Sequence, residues 1–421
     1  MTLTVTGATL EGREIGLRAE EGRIAELGPE VEAGQADEVI EAGGMPIVPG
    51  LVNAHTHAAM TLFRGYGDDM PLMEWLEQWI WPVEAKLDAD DVYWGARLAC
   101  AEMIRTGTVA FWDMYWQPGA TARAVEDAGI RAVIGAPLLD SAEPGSDARI
   151  EELKAEAERS LDELAGAGER ISAALAPHAI YTVSEPSLRW IGERAAEREL
   201  PIHIHLSETE PEVEDCVAAH GVRPAAYLDR LGVLGPRTLI AHGVWLDEAE
   251  LDLIAERGAT VVANPVANQK LGLGGSFPYP GAIERGIKLG LGTDGAASNN
   301  SLDLFQEMKF LALIQKHDAG DPAVAPAGEV WEIATGARSP LLGGSGRLEP
   351  GEPADFLLLR DDAPELSLGD LTANLVYAAS GAAVVDTTVV AGRVLMRGGE
   401  VEGVDEIRER AIERAHRLGI T

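Results

Sequence analysis

The spacing of apolar positions changes along the chain, and the changes divide it into three parts. Residues 3–40 carry short alternating runs, Thr4-Val5-Thr6, Glu14-Ile15-Gly16-Leu17 and Arg23-Ile24-Ala25-Glu26-Leu27, separated by Glu-Gly pairs. Alternation with period two, broken by turn residues, predicts hairpin-rich β structure. The C-terminal part returns to the same style in Asp355-Phe356-Leu357-Leu358-Leu359, Val384-Val385-Asp386-Thr387-Thr388-Val389-Val390 and Ala391-Gly392-Arg393-Val394-Leu395-Met396. Residues 1–49 and 346–400 are therefore expected to form one composite β-sandwich domain, with the middle of the chain inserted into it. Val404 to Leu418 reads as a charged amphipathic helix, so 401–421 is expected as a C-terminal helix.

Between these ends, residues 50–345 alternate apolar strands with helical patterns. The strand candidates are 48–52, 108–112, 130–134, 171–175, 202–205, 238–241, 259–263 and 289–292, with helix-like segments such as Ala148 to Ala165 and Asp247 to Arg257 between them. About eight βα units predict a (β/α)8 barrel, an α/β fold whose strand C-termini converge on one mouth. The Pro/Gly-rich stretch 272–281 reads as a loop of that kind.

Composition narrows the classes. The chain has 421 residues, 46% of them hydrophobic, enough for a large core. No run approaches the roughly 18 apolar residues of a membrane span, so no membrane partner is expected. Met1-Thr2-Leu3-Thr4-Val5-Thr6 lacks the basic start and apolar run of a signal peptide, and a cytoplasmic location is expected. Cys100 and Cys216 stand in no Cys-x-x-Cys spacing and read as inert thiols. A net charge of −35 excludes a basic face for nucleic acid. The carboxylates are dispersed, and 28 arginines stand against six lysines, a balance that suggests a salt-adapted protein.

Candidate chemistry sits at the predicted strand ends. His55-Thr56-His57 places two imidazoles on one side of the first strand, because residues two apart in a strand face the same way. That pair alone decides nothing. His203 and His205 share a face of the strand 202–205, so one of them suffices as a ligand; His242 closes the next strand, and Asp294 follows 289–292. Histidine or aspartate at the ends of four strands of one barrel makes a shared site. Three neutral imidazoles and one carboxylate suit a single divalent cation, Zn2+ first and Fe2+ second, with a position left for water.

Four segments carry a family resemblance: Pro49-Gly50-Leu51-Val52-Asn53-Ala54-His55-Thr56-His57, Met70-Pro71-Leu72-Met73-Glu74-Trp75-Leu76, His203-Ile204-His205-Leu206-Ser207-Glu208-Thr209, and Gly292-Thr293-Asp294-Gly295-Ala296-Ala297-Ser298-Asn299-Asn300. With them the chain resembles the amidohydrolase superfamily over nearly its whole length. Within it the chain is most similar to the 5-methylthioadenosine/S-adenosylhomocysteine deaminases and related aminohydrolases and chlorohydrolases. The resemblance implies His55, His57, His205 and Asp294 as metal ligands, and Glu208 as the group that protonates a ring nitrogen. It implies Asp294 as acceptor of the attacking water's proton, with His242 holding that water. It also implies Glu84 and His178 on the ribose and base sides of a nucleoside, Trp75 beside the base, and a homo-oligomer.

The resemblance implies hydrolytic deamination of 5′-methylthioadenosine, S-adenosylhomocysteine, 5′-deoxyadenosine or adenosine; the alternative is a guanine deaminase or an s-triazine amino/chlorohydrolase. A two-metal amide hydrolase is disfavoured, because it needs a bridging lysine at a strand end and the only lysine between positions 86 and 270 is Lys154, in a helical pattern. Two departures from the family concern specificity. Residues 138–145 contain no arginine, where the family often carries one toward the distal end of the substrate, and Ala267 and Gln269 replace its usual serine and apolar residue. His220, His317 and His416 read as surface residues, Asp113 as a candidate for the barrel interior, and Arg64 with Asp68-Asp69 as a solvated loop or part of a lid.

Overall fold

Eight parallel strands close on themselves at the centre of the molecule. The computed structural model describes residues 2–35, 37–140, 147–344 and 346–420, with the side chains of 147–149 outside the description. The barrel strands are β6 (Leu51–Thr56), β7 (Thr108–Met114), β8 (Arg131–Leu138), β9 (Ile171–Pro177), β10 (Ile202–Leu206), β11 (Thr238–His242), β12 (Thr260–Ala263) and β13 (Lys288–Leu291), and each pairs with its neighbours in chain order until β13 meets β6. All eight predicted strands are present. They are buried on both faces, as strands of a parallel sheet under helices must be. In β10, Ile202, Ile204 and Leu206 join the core beneath the helices, while His203 and His205 take the alternate positions.

The helices between strands begin and end on local signals. Asp247 opens Glu248–Arg257 with a reciprocal capping box to Glu250, and Gly258 closes it in the left-handed conformation. Asp88 and Asp91 do the same at the start of Ala89–Arg105.

The chain ends build two sheets that share one core. β1 (Thr2–Leu10), β2 (Arg13–Glu20), β3 (Arg23–Gly28) and β4 (Glu38–Glu41) form the first, in the order β3-β2-β1-β4. β5 (Ile47–Pro49), β14 (Phe356–Leu359), β15 (Val385–Val390), β16 (Arg393–Arg397) and β17 (Glu400–Val401) form the second, in the order β17-β16-β15-β14-β5. Leu3, Val5, Leu17 and Ile24 from one sheet pack with Ile47, Phe356, Leu358 and Val389 from the other.

The structure refines the expectations in two places. The stretch 48–52 was expected as one barrel strand, yet the apolar run 47–52 serves two sheets: Ile47–Pro49 pairs with β14, and the barrel strand starts only at Leu51. The break falls at Gly50, where a Cβ would lie 2.2 Å from Val109 Cγ1, so the crossing has room for glycine alone. The C-terminal β region is also interrupted by helices Leu371–Tyr377 and Gly381–Val384, the first of which packs on barrel helices Leu304–Ala319 and Ala327–Ala334. The terminal helix spans Val404–Leu418 and lies against Ala89–Arg105, where Arg417 meets the buried Asp91.

Candidate active site

The last residues of β6 and the first beyond it are held from behind. Thr56 Oγ1 donates to Trp112 O at 2.8 Å, and the Ala58 N–H donates to Asp113 Oδ1 at 2.7 Å. Asp113 is thus the anchor of the His55-Thr56-His57 segment, a role its position at the end of β7 did not announce. His55 is fully buried, and His57 sits just past the strand.

Each imidazole of the cluster is oriented through Nδ1. His57 Nδ1 lies 2.5 Å from Met114 O, His205 Nδ1 2.7 Å from His178 O, and His242 Nδ1 2.8 Å from Asn268 Oδ1. An oxygen acceptor requires the proton on Nδ1, which leaves the Nε2 lone pair for the site. His55 Nδ1 pairs with His203 Nε2 at 2.8 Å, so His203 supports His55 and is not itself in the cluster.

The free atoms converge. His57 Nε2 lies 3.2 Å from His205 Nε2 and 3.2 Å from Asp294 Oδ1, and His55 Nε2 is 3.3 Å from the same oxygen. His55 Nε2 is buried and has no hydrogen-bond partner among the described residues. Ligand atoms bound at 2.0–2.1 Å around a tetrahedral ion stand about 3.3 Å apart, so this donor set fits one small divalent cation. One ligand atom from each of His55, His205, His242 and Asp294 also lies within 4.8 Å of the others. That quartet exchanges His57 for His242. The shorter separations favour His57 as a ligand, whereas His242 Nε2 faces Glu208 Oε1 at 3.8 Å.

Asp294 is presented by a left-handed backbone, φ 61°, and Ser298 Oγ donates to its Oδ2 at 2.6 Å, which leaves Oδ1 toward the histidines. Ser207 (φ 50°) and His242 (φ 72°) are left-handed as well. Such conformations at three strand ends are costly for non-glycine residues and are held by the surrounding bonds. Behind Asp294, Asn299 Nδ2 donates to Thr293 O at 2.7 Å and to the buried Glu307 at 2.6 Å.

The electrostatics match a cation site. Burial pushes His55 down to about 3, and burial with the neighbouring imidazoles depresses His205 and His203 strongly. For His57, burial works downward, but the Asp294 carboxylate outweighs it and holds the ring near 9. Burial opposes ionisation of Asp294, yet its contacts with His55 and His57 keep it well below the usual carboxylate range. The cluster thus draws in positive charge, which a divalent cation supplies more fully than one proton. Glu208 shows the opposite behaviour. Burial raises it, and Asp294 adds to the effect against the opposing pull of His242. Glu212 holds its backbone, accepting from Ser207 N at 2.9 Å and Glu208 N at 2.9 Å.

These groups floor a cavity at the mouth of the barrel. Trp75, Leu76, Ile80 and Trp116 give it an apolar wall, and His178, Tyr181 and Glu208 line it too. Trp75 Nε1–H donates to Tyr66 O at 3.1 Å. Glu84 reaches the cavity from the segment after β6, with Tyr115 Oη donating to its Oε1 at 2.7 Å. Burial raises Glu84, countered by the hydrogen bond from Tyr115. The structure thus gathers Trp75, Glu84, His178, Glu208, His242 and the four expected ligands around one space.

Other sequence-level candidates resolve differently. Ala267 is buried and Gln269 exposed, and neither lines the cavity. Of the stretch without arginine, Leu139 lines the cavity and Asp140 is bonded to Ser184 and Ser187, while residues 141–145 lie outside the described residues, as does the Arg149 side chain. His220, His317 and His416 are exposed as expected. Arg64 bonds Glu102 and Asp68 bonds Lys270, which ties that loop to the barrel. Sequence reading gave no role to Tyr115, Asn268, Glu212 or Ser298, and weighed His203 only as an alternative ligand to His205. Only Glu212 had a local signal, since it stands three residues into a helix opened by Thr209.

Comparison with known proteins agrees with this geometry. The model of the Amidohydrolase family matches residues 47–395. The 5′-deoxyadenosine deaminase of Methanoregula boonei is 48% identical over 96% of this chain and 92% of its own. The 5-methylthioadenosine/S-adenosylhomocysteine deaminase 1 of Archaeoglobus fulgidus is 44% identical over 96% of this chain and 94% of its own. An adenosine deaminase from Xanthomonas campestris, solved with bound zinc, superposes with a TM-score of 0.90 at 34% identity, covering 100% of this chain and 98% of that one.

Proposed function

The chain belongs to the amidohydrolase family and hydrolyses a C–N bond of an adenosine-type nucleoside, and from that premise we propose how its site works and which substrate it prefers. The observation that carries the mechanism is that two carboxyl groups line one cavity beside the imidazole cluster, Glu208 at 3.8 Å from His242 Nε2 and Asp294 at 3.2 Å from His57 Nε2. His55, His57, His205 and Asp294 would hold one divalent cation, Zn2+ before Fe2+. When bound, such an ion supplies a water acidic enough to deprotonate near neutral pH. Asp294 Oδ1 takes the proton released from that water. Glu208, whose proton affinity burial raises, gives a proton to the ring nitrogen adjoining the amino-bearing carbon as the hydroxyl adds there. The amino group then takes the proton held by Asp294 and its C–N bond breaks to release ammonia, while the hydroxyl proton returns to Glu208 and the ring keeps the oxygen as a carbonyl. His242, fixed by Asn268, orients the attacking water.

For the substrate, Trp75 and His178 flank the base and Glu84 receives the ribose hydroxyls. No lysine or arginine lines the cavity among the described residues, while Leu72, Leu76, Ile80 and Leu139 do. That lining favours a small apolar 5′ end, as in 5′-deoxyadenosine or 5′-methylthioadenosine, over the charged aminocarboxypropyl end of S-adenosylhomocysteine. The relatives' names support the adenosine-type reading over guanine or s-triazine.

A panel of these nucleosides and guanine, assayed for ammonia with and without chelator, tests the proposal. kcat/KM for 5′-deoxyadenosine or 5′-methylthioadenosine is expected about tenfold or more above S-adenosylhomocysteine, an unpaired carboxylate costing at least ~1.4 kcal/mol. Release from guanine and from no adenine nucleoside would overturn it.

The same reading makes the protein a salt-adapted, cytoplasmic homo-oligomer that uses neither nucleic acid nor membrane. Its charge of −35 and the exposed Phe310 and Leu313 on one helix support this, and among the described residues no helix is long and apolar enough to cross a membrane. We read 1–49 with 346–400, 50–345 and 401–421 as its three units.

A further inference from the structure

Glu84 stands on a poor foundation for a binding group. It ends a four-residue helix, Trp81–Glu84, in the segment between β6 and the helix Ala89–Arg105, and the barrel ladder does not include it. Its carboxyl is nonetheless buried at the cavity wall. A side chain so placed needs something rigid to fix the plane of its carboxylate. Tyr115 provides that. It follows β7 directly, is 6% exposed, and its ring centroid stands 6.3 Å from that of His57. The preceding residue, Met114, holds His57 through its carbonyl. One two-residue stretch of barrel therefore fixes a cation ligand and, through the 2.7 Å bond from Tyr115 Oη to Oε1, the carboxylate. The Trp116 side chain also hydrogen-bonds this carboxylate, and each of its oxygens accepts two bonds, so accepting capacity remains for a ligand hydroxyl.

We propose that Tyr115 is the positioning residue for sugar recognition: it holds Glu84 so that the enzyme selects ribonucleosides over nucleosides lacking the 2′-hydroxyl. The assignment rests on the reading of Glu84 as the ribose acceptor. Tyr115 touches neither the reacting atoms nor the base in this scheme; it acts through Glu84. Its effect therefore appears in the choice of sugar.

The experiment compares 5′-deoxyadenosine with 2′,5′-dideoxyadenosine in the metal-loaded enzyme and in Tyr115→Phe. The wild type is expected to favour the 2′-hydroxylated substrate, and Tyr115→Phe to lose about tenfold of that preference, the worth of a hydrogen bond to a charged group, chiefly through KM of the hydroxylated substrate. In the Glu84→Gln background, Tyr115→Phe should remove no further preference. Equal losses on both substrates, or an unchanged preference, would overturn the assignment and leave Tyr115 a packing residue. Deamination of both substrates by the wild type with no preference would instead remove Glu84 from ribose binding, and the proposal with it. Failure to deaminate either would strike the function itself. If Tyr115→Phe does not fold, Glu84→Asp breaks the same contact by withdrawing the carboxylate one methylene. Loss of preference there supports the proposal, and its retention refutes it.

Discussion

At the scale of single residues, the site separates two carboxyl groups by their surroundings. Asp294 stands against His55 and His57, which hold it well below the usual carboxylate range, whereas burial shifts Glu208 upward. Opposed environments of this kind assign a base and an acid. Glu208→Gln should keep the cluster intact, because the Glu208 carboxyl lies 3.8 Å from His242, which is not one of the four expected ligands. Metal content measured by elemental analysis is therefore expected to match the wild type, while kcat falls about 10²- to 10⁴-fold, the usual worth of a general acid. Turnover within a few-fold of wild type would remove Glu208 from the proton path. Residues such as Glu208 were legible in the sequence because a motif marks them. Tyr115 and Asn268 were not, because what defines them is a partner 31 or 26 positions away that only the folded chain brings near.

At the scale of elements, the ends of the barrel strands are where the chain departs from regular geometry. The turn after β10 is the clearest case. Ser207 is left-handed, and Glu212, from the first turn of the helix Glu210–His220, reaches back to Ser207 N and Glu208 N. Burial pushes Glu212 up to about 8, against the two backbone bonds that favour its charge. Between its unfolded value of 4.5 and that figure, the folded protein holds a proton that the unfolded chain has lost. Stability from this group therefore falls as pH rises through the window. Urea unfolding of wild type and Glu212→Gln at about pH 5 and about pH 8.5 should show the wild type losing stability relative to the variant at the higher pH; the reverse trend would mean that the backbone bonds dominate. The eight strands were legible because each is an apolar run closed by a polar or turn residue. The division of 47–52 between two sheets was not, since Val48 and Val52 look alike in sequence and only the contact of Gly50 with Val109 sets the break. The helices at 371–384 were missed for a related reason: their burial comes from barrel helices far away in the chain.

For the whole molecule, the dominant quantity is a net charge of −35. Many arginines are already paired, as Arg194 and Arg198 are with Glu158, so the unbalanced carboxylates remain to repel one another. Screening that repulsion should stabilise the fold: the thermal midpoint is expected to rise from about 0.1 M to about 1 M KCl, as the Debye length shortens from about 10 Å to about 3 Å. A flat or falling midpoint would show that the surface pairs matter more than the net field. The two terminal sheets add a consequence in time. β1 to β4 pair among themselves, but β5 pairs with β14 and Ile24 N bonds Glu352 O, so this segment meets the sheet that covers it only after the residues near 350 exist. On the ribosome, β1 to β4 therefore wait with Leu3, Val5 and Leu17 uncovered by β14 while the catalytic barrel is synthesised.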